Sequence, residues 1–201
     1  MKGNYETRIM QNPLEARQAE DGTVNIEGLG IVFNELSEDL GGFQERILPE
    51  AMDGVDISDI YSFINHDPNL VMGRTKSGTM EVEIRADGVH YRVRPPKSMT
   101  QYIENIQRGD IDGSSFSFRI AQGGDSWEER DGGQVPLRTI TKFMAVKEMG
   151  PVINPAYKQT SSDIALRNLE NWKKEQVPEG VDEATKMKAD LLKIREKENK
   201  F

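Results

Sequence analysis

Met80-Glu81-Val82-Glu83-Ile84 alternates apolar and charged positions, the period of a strand with one buried face. Ala86-Asp87-Gly88 supplies a turn and Val89 to Arg94 a return strand, so the pair predicts a hairpin. Upstream, Ile26-Glu27-Gly28-Leu29-Gly30-Ile31-Val32-Phe33 reads as a strand in which glycine permits an irregularity. Phe43 to Leu48, Ile60 to Ile64 and Leu70 to Arg74 are short apolar-rich runs between turn residues. Met99, Tyr102, Ile103 and Ile106 recur at helical spacing, which predicts a helix over Ser98 to Gln107, with Ser98 as N-cap and Gly109 as its stop. Ser115 to Ile120, a short stretch near Trp127, and Val135 to Val146 read as further strands.

Strands, one helix and more strands indicate an α+β domain that is mainly β, built on a barrel or folded sheet. It spans residues 24–160. Residues 1–23 are polar and weakly patterned, and read as a flexible arm or a loosely docked lead-in. Residues 161–201 are charged and helix-favouring. There Ala184, Met187, Leu191 and Ile194 form a narrow apolar stripe of coiled-coil type, after a break at Pro178-Glu179-Gly180. That stripe fits a helix lying on its own domain or one that pairs with a partner.

At 201 residues the chain has room for one substantial domain and an appendage. A formal net charge of −8 argues against general nucleic-acid binding and against docking on anionic membranes, both of which need a basic surface. The absence of cysteine excludes disulfides, thiolate metal sites and cysteine nucleophiles, and fits a cytosolic setting. No apolar h-region opens the sequence and no apolar run is long enough to span a membrane.

Candidate chemistry centres on Gly109-Asp110-Ile111-Asp112-Gly113-Ser114-Ser115-Phe116-Ser117-Phe118. A serine hydroxyl needs a base within hydrogen-bond reach, and the base needs an orienting group. Only two histidines exist, His66 and His90. His66, in Ile64-Asn65-His66-Asp67-Pro68, stands where a strand runs into a turn; His90 lies inside an alternating strand. In a regular strand Ser115, Ser117 and Arg119 share one face, and Phe116, Phe118 and Ile120 the other. If the phenylalanines face the core, Ser115 faces a cleft; Ser114 is second choice. Glu148 is the leading carboxylate for the third role, with Asp67, Asp110 and Asp112 open. Gly113 gives the backbone freedom beside the nucleophile, and Arg119 is a further polar group on its face. Two separated histidines make a poor metal site, so neither metal nor cofactor is expected.

Four ordered blocks carry a resemblance. Gly28-Leu29-Gly30-Ile31-Val32-Phe33-Asn34 is followed by Gly42-Phe43-Gln44-Glu45-Arg46-Ile47-Leu48-Pro49-Glu50-Ala51-Met52. Next come Asn65-His66-Asp67 with Val71-Met72-Gly73-Arg74-Thr75, the serine block above, and Glu148-Met149-Gly150-Pro151-Val152-Ile153-Asn154-Pro155-Ala156-Tyr157. Together they resemble the tailed-bacteriophage prohead (capsid maturation) serine proteases from about Ile26 to Thr160. Glu50, Met52, Ser114, Ser117 and Gly150 depart from the usual residues; at Ser117 the family commonly has Gly, and at Gly150 Ser.

The resemblance implies a fold like the herpesvirus assemblins, a β-barrel flanked by helices. It implies Ser115 as nucleophile, His66 as base and, since His90, the only candidate for the assemblins' second imidazole, falls outside the matching blocks, Glu148 as third member. It further implies a serine endopeptidase that cleaves phage capsid or scaffold protein, and itself, inside the assembling prohead in the host cytoplasm. The major capsid protein and the scaffold would be its partners, with a homodimer by analogy to the assemblins. The tail would be removable or capsid-docking. The rival reading is a catalytically silent assembly or scaffolding protein on the same fold. A serine esterase would want Gly-x-Ser-x-Gly, and Gly113-Ser114-Ser115-Phe116-Ser117 lacks the second glycine.

Overall fold

The computed structural model describes residues 5–10, 14–20, 22–153 and 163–176. The chain divides into two compact units, Met1–Leu166 and Arg167–Phe201. In the second, the described part is the end of a helix, Asp163–Glu175, that begins before the boundary. The apolar stripe at Ala184 to Ile194 lies outside the described residues.

The first unit is mostly β, with twelve strands among the described residues: β1 Glu6–Met10, β2 Leu14–Gln18, β3 Val24–Val32, β4 Gln44–Ile47, β5 Tyr61–Phe63, β6 Val71–Arg74, β7 Met80–Ile84, β8 Gly88–Val93, β9 Gly113–Ile120, β10 Asp125–Glu128, β11 Leu137–Ile140 and β12 Phe143–Val152. They form three sheets, in the orders β1-β9-β12-β5-β6, β2-β3-β8-β7 and β10-β11-β4. Each sheet has two free edges among the described residues, so the closed barrel implied by the resemblance is not seen: the strands make open sheets packed on one another. Ile26, Ile31, Val89 and Val93 from the second sheet join Phe116, Phe118, Val146 and Met149 from the first and Ile140 from the third in one apolar core.

The expected hairpin is β7 and β8, paired from Met80↔Val93 to Ile84↔Val89. Its turn closes with Arg85 N–H to Gly88 O at 2.8 Å. The irregularity expected in β3 is a bulge at Gly30, where the register against β8 slips between Leu29 and Ile31. A Cβ at Gly30 would come within 2.8 Å of the Met149 sulfur, so the bare backbone lets β3 approach β12.

Helix α1 runs from Thr100 to Arg108 after a 3₁₀ turn over Lys97–Met99. Ser98 sits inside that turn and caps nothing, because Pro95-Pro96 feeds the chain into it one turn early. The Thr100 hydroxyl instead donates back to Lys97 O at 3.0 Å. Gly109 ends α1 in the left-handed region (φ 80°); its N–H reaches Ile106 O and that of Asp110 reaches Asn105 O, a Schellman closure.

Two readings of the pattern differ from the structure. The long segment Val135 to Val146 breaks at Thr141-Lys142, whose N–H groups both donate to Gly124 O, and β11 and β12 enter different sheets. The polar stretch before Thr23 contains β1 and β2 rather than a free arm. β1 pairs with β9 and β2 with β3. The inward side chains of β1 are Glu6 and Arg8, buried as ion pairs, so hydropathy marks the strand as surface. Among the described residues no helix is long and apolar enough to cross a membrane.

Candidate active site

β9 is the central support. Its alternation sends Phe116 and Phe118 into the core, where their rings stack 5.0 Å apart. Ser115 and Ser117 take the opposite face. Ser114 lies on the core side, fully buried, 3.1 Å from the Tyr91 hydroxyl. Burial pushes the Tyr91 pKa up despite that bond, so Ser114 is held by a neutral phenol and not by a base.

Ser115 Oγ is 2.7 Å from His66 Nε2, and His66 Nδ1 is 2.5 Å from Glu148 Oε1. These three side chains form one line across β9 and β12 to the loop that follows β5.

His66 owes its position to an uncommon backbone. Asn65 and His66 are both in the left-handed region, at φ 51° and 59°. Each such non-glycine residue carries a cost of order 1–3 kcal/mol that the surroundings must offset. Asn65 N–H donates to Pro151 O at 3.0 Å, and Asn65 Oδ1 accepts from Ile153 N–H at 2.8 Å, pinning the loop to the end of β12. Asp67 N–H closes onto Ile64 O at 2.9 Å. The Asp67 carboxylate turns away to cap Asn69 N–H at 2.9 Å.

Glu148 reaches the site through two bulges. Against β9, β12 pairs Phe143 with Ile120, Ala145 with Arg119, Val146 with Phe118 and Glu148 with Ser117, so Met144 and Lys147 are extra residues. In a regular strand Val146 and Glu148 would share a face. The bulge at Lys147 instead puts Val146 in the core and Glu148 beside Ser117. Gly150 pairs with Ser115, and a Cβ there would meet Phe63 O at 2.3 Å, so the missing side chain lets β5 pack close to Ser115.

Burial pushes the Glu148 carboxyl pKa up. Hydrogen bonds from His66 and from Ser117 Oγ (2.6 Å to the same Oε1), with the charge His66 carries when protonated, outweigh it and hold the group below the usual carboxylate value. A buried, ionised acceptor fixes the imidazole with Nδ1–H toward Glu148 and Nε2 toward Ser115, the tautomer a general base needs.

The remaining candidates lie elsewhere. His90 pairs with Asp87 at 3.0 Å beside the β7–β8 turn. Asp110 is exposed and pairs with Arg108, and Asp112 is exposed. The Arg119 guanidinium lies 5.0 Å over the Tyr5 ring. Gly113 opens β9 opposite Met10 O and Val152. Among the described residues no cluster of three or more His, Asp or Glu is arranged to hold a metal ion.

Sequence reasoning missed Ser117 as a partner of Glu148, although the alternation already put it on the face of Ser115. It also missed Thr7 and Arg8. Thr7 Oγ1 is 3.1 Å from Ser117 Oγ, and the Ser115 hydroxyl lies within donating distance of Arg8 O, at 2.8 Å. No signal in the N-terminal stretch marks those contacts, which span more than a hundred residues.

The sequence profile of the caudovirus prohead serine proteases matches residues 12–175. Among solved structures, the capsid assembly protease of bacteriophage T4 is similar, at 12% identity and a TM-score of 0.47, covering 76% of this chain and 100% of that one. No curated protein sequence matches.

Proposed function

The chain belongs to the caudovirus prohead serine protease family, and from that membership we propose an active serine endopeptidase with Ser115 as nucleophile, His66 as general base and Glu148 as its orienting carboxylate. The observation that carries the reading is the unbroken line of hydrogen bonds from Ser115 through His66 to Glu148, at 2.7 and 2.5 Å. The role follows as in other triads. Ser115 Oγ attacks the scissile carbonyl carbon while His66 Nε2 takes the hydroxyl proton. Glu148 holds the imidazolium. His66 returns the proton to the leaving amine as the C–N bond breaks, and water then hydrolyses the acyl ester by the same route.

The substrates in this reading are the capsid or scaffold protein of the phage prohead and the chain itself, cut inside the assembling shell in the host cytoplasm. The segment 161–201 is a removable or capsid-docking tail. A kinship with the herpesvirus assemblins, including a homodimer, belongs to the same proposal, with a carboxylate in place of their second imidazole.

The test is intact mass of the purified chain over time, wild type beside Ser115→Ala, alone and with the capsid protein. Shortening of the chain or of the capsid protein by the wild type only is the expected result. Equal trimming by both proteins removes Ser115 from the mechanism. No trimming under either condition favours a silent assembly protein.

A further inference from the structure

β1 touches the proposed catalytic line at both of its ends. At one end the Ser115 hydroxyl has two acceptors for its single proton: His66 Nε2 at 2.7 Å and Arg8 O at 2.8 Å. A proton given to Arg8 O is not available to His66. At the other end Thr7 Oγ1 meets Ser117 Oγ, the donor to Glu148. The register from Glu6↔Phe118 to Met10↔Ser114 lays β1 along the whole nucleophile strand, and Ser115 has no exposed surface. In the contact with Ser115, Arg8 presents its carbonyl oxygen to the hydroxyl.

Among the described residues β1 is also an edge strand, and its strand partner is β9 alone. The family match begins at residue 12, past its end. β1 is held by its pairing along β9 and by buried charge. Arg8 grips Glu45 with two hydrogen bonds, at 2.9 and 2.6 Å, and Arg138 grips Glu6 with two, at 2.7 and 3.0 Å. Buried pairs of this kind fix a register, but the desolvation they require offsets much of their attraction. As an edge strand, β1 can leave with the loss of that pairing and of these ion pairs, and among the described residues no other strand pair has to open.

We propose that β1 is a resident occupant of the edge on which the scissile strand of a polypeptide substrate docks, and that it keeps Ser115 covered until it leaves. This rests on the serine-protease reading above. An extended peptide adds to an open sheet edge through main-chain hydrogen bonds, and side-chain pockets set the preference. The pockets vacated by β1 offer Arg138 to an acidic residue and Glu45 to a basic residue two positions later. The strand taken up in its place carries that pair.

The experiment inserts a site for a sequence-specific protease between Gln11 and Pro13. The chain folds intact, is then cut, and loses residues 1–11 on gel filtration, which intact mass verifies. An alkyl fluorophosphonate reports on Ser115: the Oγ–P bond forms, the P–F bond breaks, fluoride leaves, and His66 takes the hydroxyl proton. Labelling is expected to be at least about tenfold faster after β1 leaves, equivalent to about 1.4 kcal/mol of cover. A synthetic peptide of residues 1–11 restores the slow rate, and the same peptide with Glu6→Ala and Arg8→Ala does not. Equal labelling with and without β1 overturns the inference and leaves the protease reading intact. So does a β1 that cannot be removed short of unfolding, since it is then a permanent part of the fold. If neither form labels at Ser115, the protease reading fails and takes this inference with it.

Discussion

Replacing Arg138 by Met tests whether the buried charges beneath β1 are balanced as the hydrogen bonds imply. Arg138 has no exposed surface and makes four hydrogen bonds to three carboxylates: Glu6 twice, Glu45 and Asp125. Met fills comparable space and carries no charge, which leaves Arg8 alone to neutralise Glu6 and Glu45. Removing one partner of a buried ionic group costs about 3–5 kcal/mol at neutral pH. For a chain of this size that lowers Tm by roughly 6–20 °C.

Urea unfolding followed by tryptophan fluorescence reads it, since the Arg138 guanidinium lies 5.5 Å over the Trp127 ring. The pH dependence supplies a second check. Burial pushes the Glu6 pKa up, but the hydrogen bonds and charges of Arg138 and Arg8 outweigh it and hold Glu6 below its ordinary 4.5. The stability Glu6 contributes in the wild type is therefore present above about pH 4.5 and is lost as pH falls through the depressed value. In Arg138→Met, burial weighs more heavily and Glu6 takes up its proton in the folded state. The gap between variant and wild type narrows from pH 7 to pH 4.5. Adding Glu6→Gln to the variant recovers about 1 kcal/mol or more at pH 7. A loss under about 1 kcal/mol at pH 7, or a gap that widens in acid, refutes the accounting.

Ser117→Gly removes one of the two hydrogen bonds that depress the Glu148 pKa, so turnover of a peptide substrate drops by about tenfold, the worth of one hydrogen bond to a charged group. The acid limb of its pH–rate profile moves up; an unmoved limb would sink the role given to Ser117. Gly150→Ala forces a Cβ to within 2.3 Å of Phe63 O, which costs about 1–3 kcal/mol in denaturant unfolding. Free accommodation there would mean that β5 is not held close to Ser115. Asn65→Ala loses the bond to Ile153 and strains a positive φ, at about 1–2 kcal/mol. Asn65→Gly keeps the backbone and should cost less; the reverse ranking would contradict the strain argument.

Where a strand is regular, its residues could be assigned to faces from the sequence. β9 alternates without interruption, so Phe116 and Phe118 pointed inward, and Ser115 could be separated from Ser114 on that ground alone. The turn after Ile64 likewise placed His66. β12 resisted, because Met144 and Lys147 are supernumerary and a two-residue period assigns Val146 and Glu148 to one face. Glu148 was reachable through the family resemblance, but its orientation was not. β1 was illegible for another reason: its core-facing residues are Glu6 and Arg8, and a hydropathy pattern cannot see partners that lie at Glu45 and Arg138.

The long reach of β1 has a consequence in time. Its partner strand begins at Gly113, about a hundred residues downstream of Met10. At the ribosome's pace of roughly 5–20 residues per second, β1 waits on the order of 5–20 s before β9 exists to receive it. An apolar strand left unpaired for that long would invite aggregation, whereas alternating charge keeps a lone strand in water. Glu6 and Arg8, which end as buried ions, thus spend the synthesis of the chain as its solubilising groups.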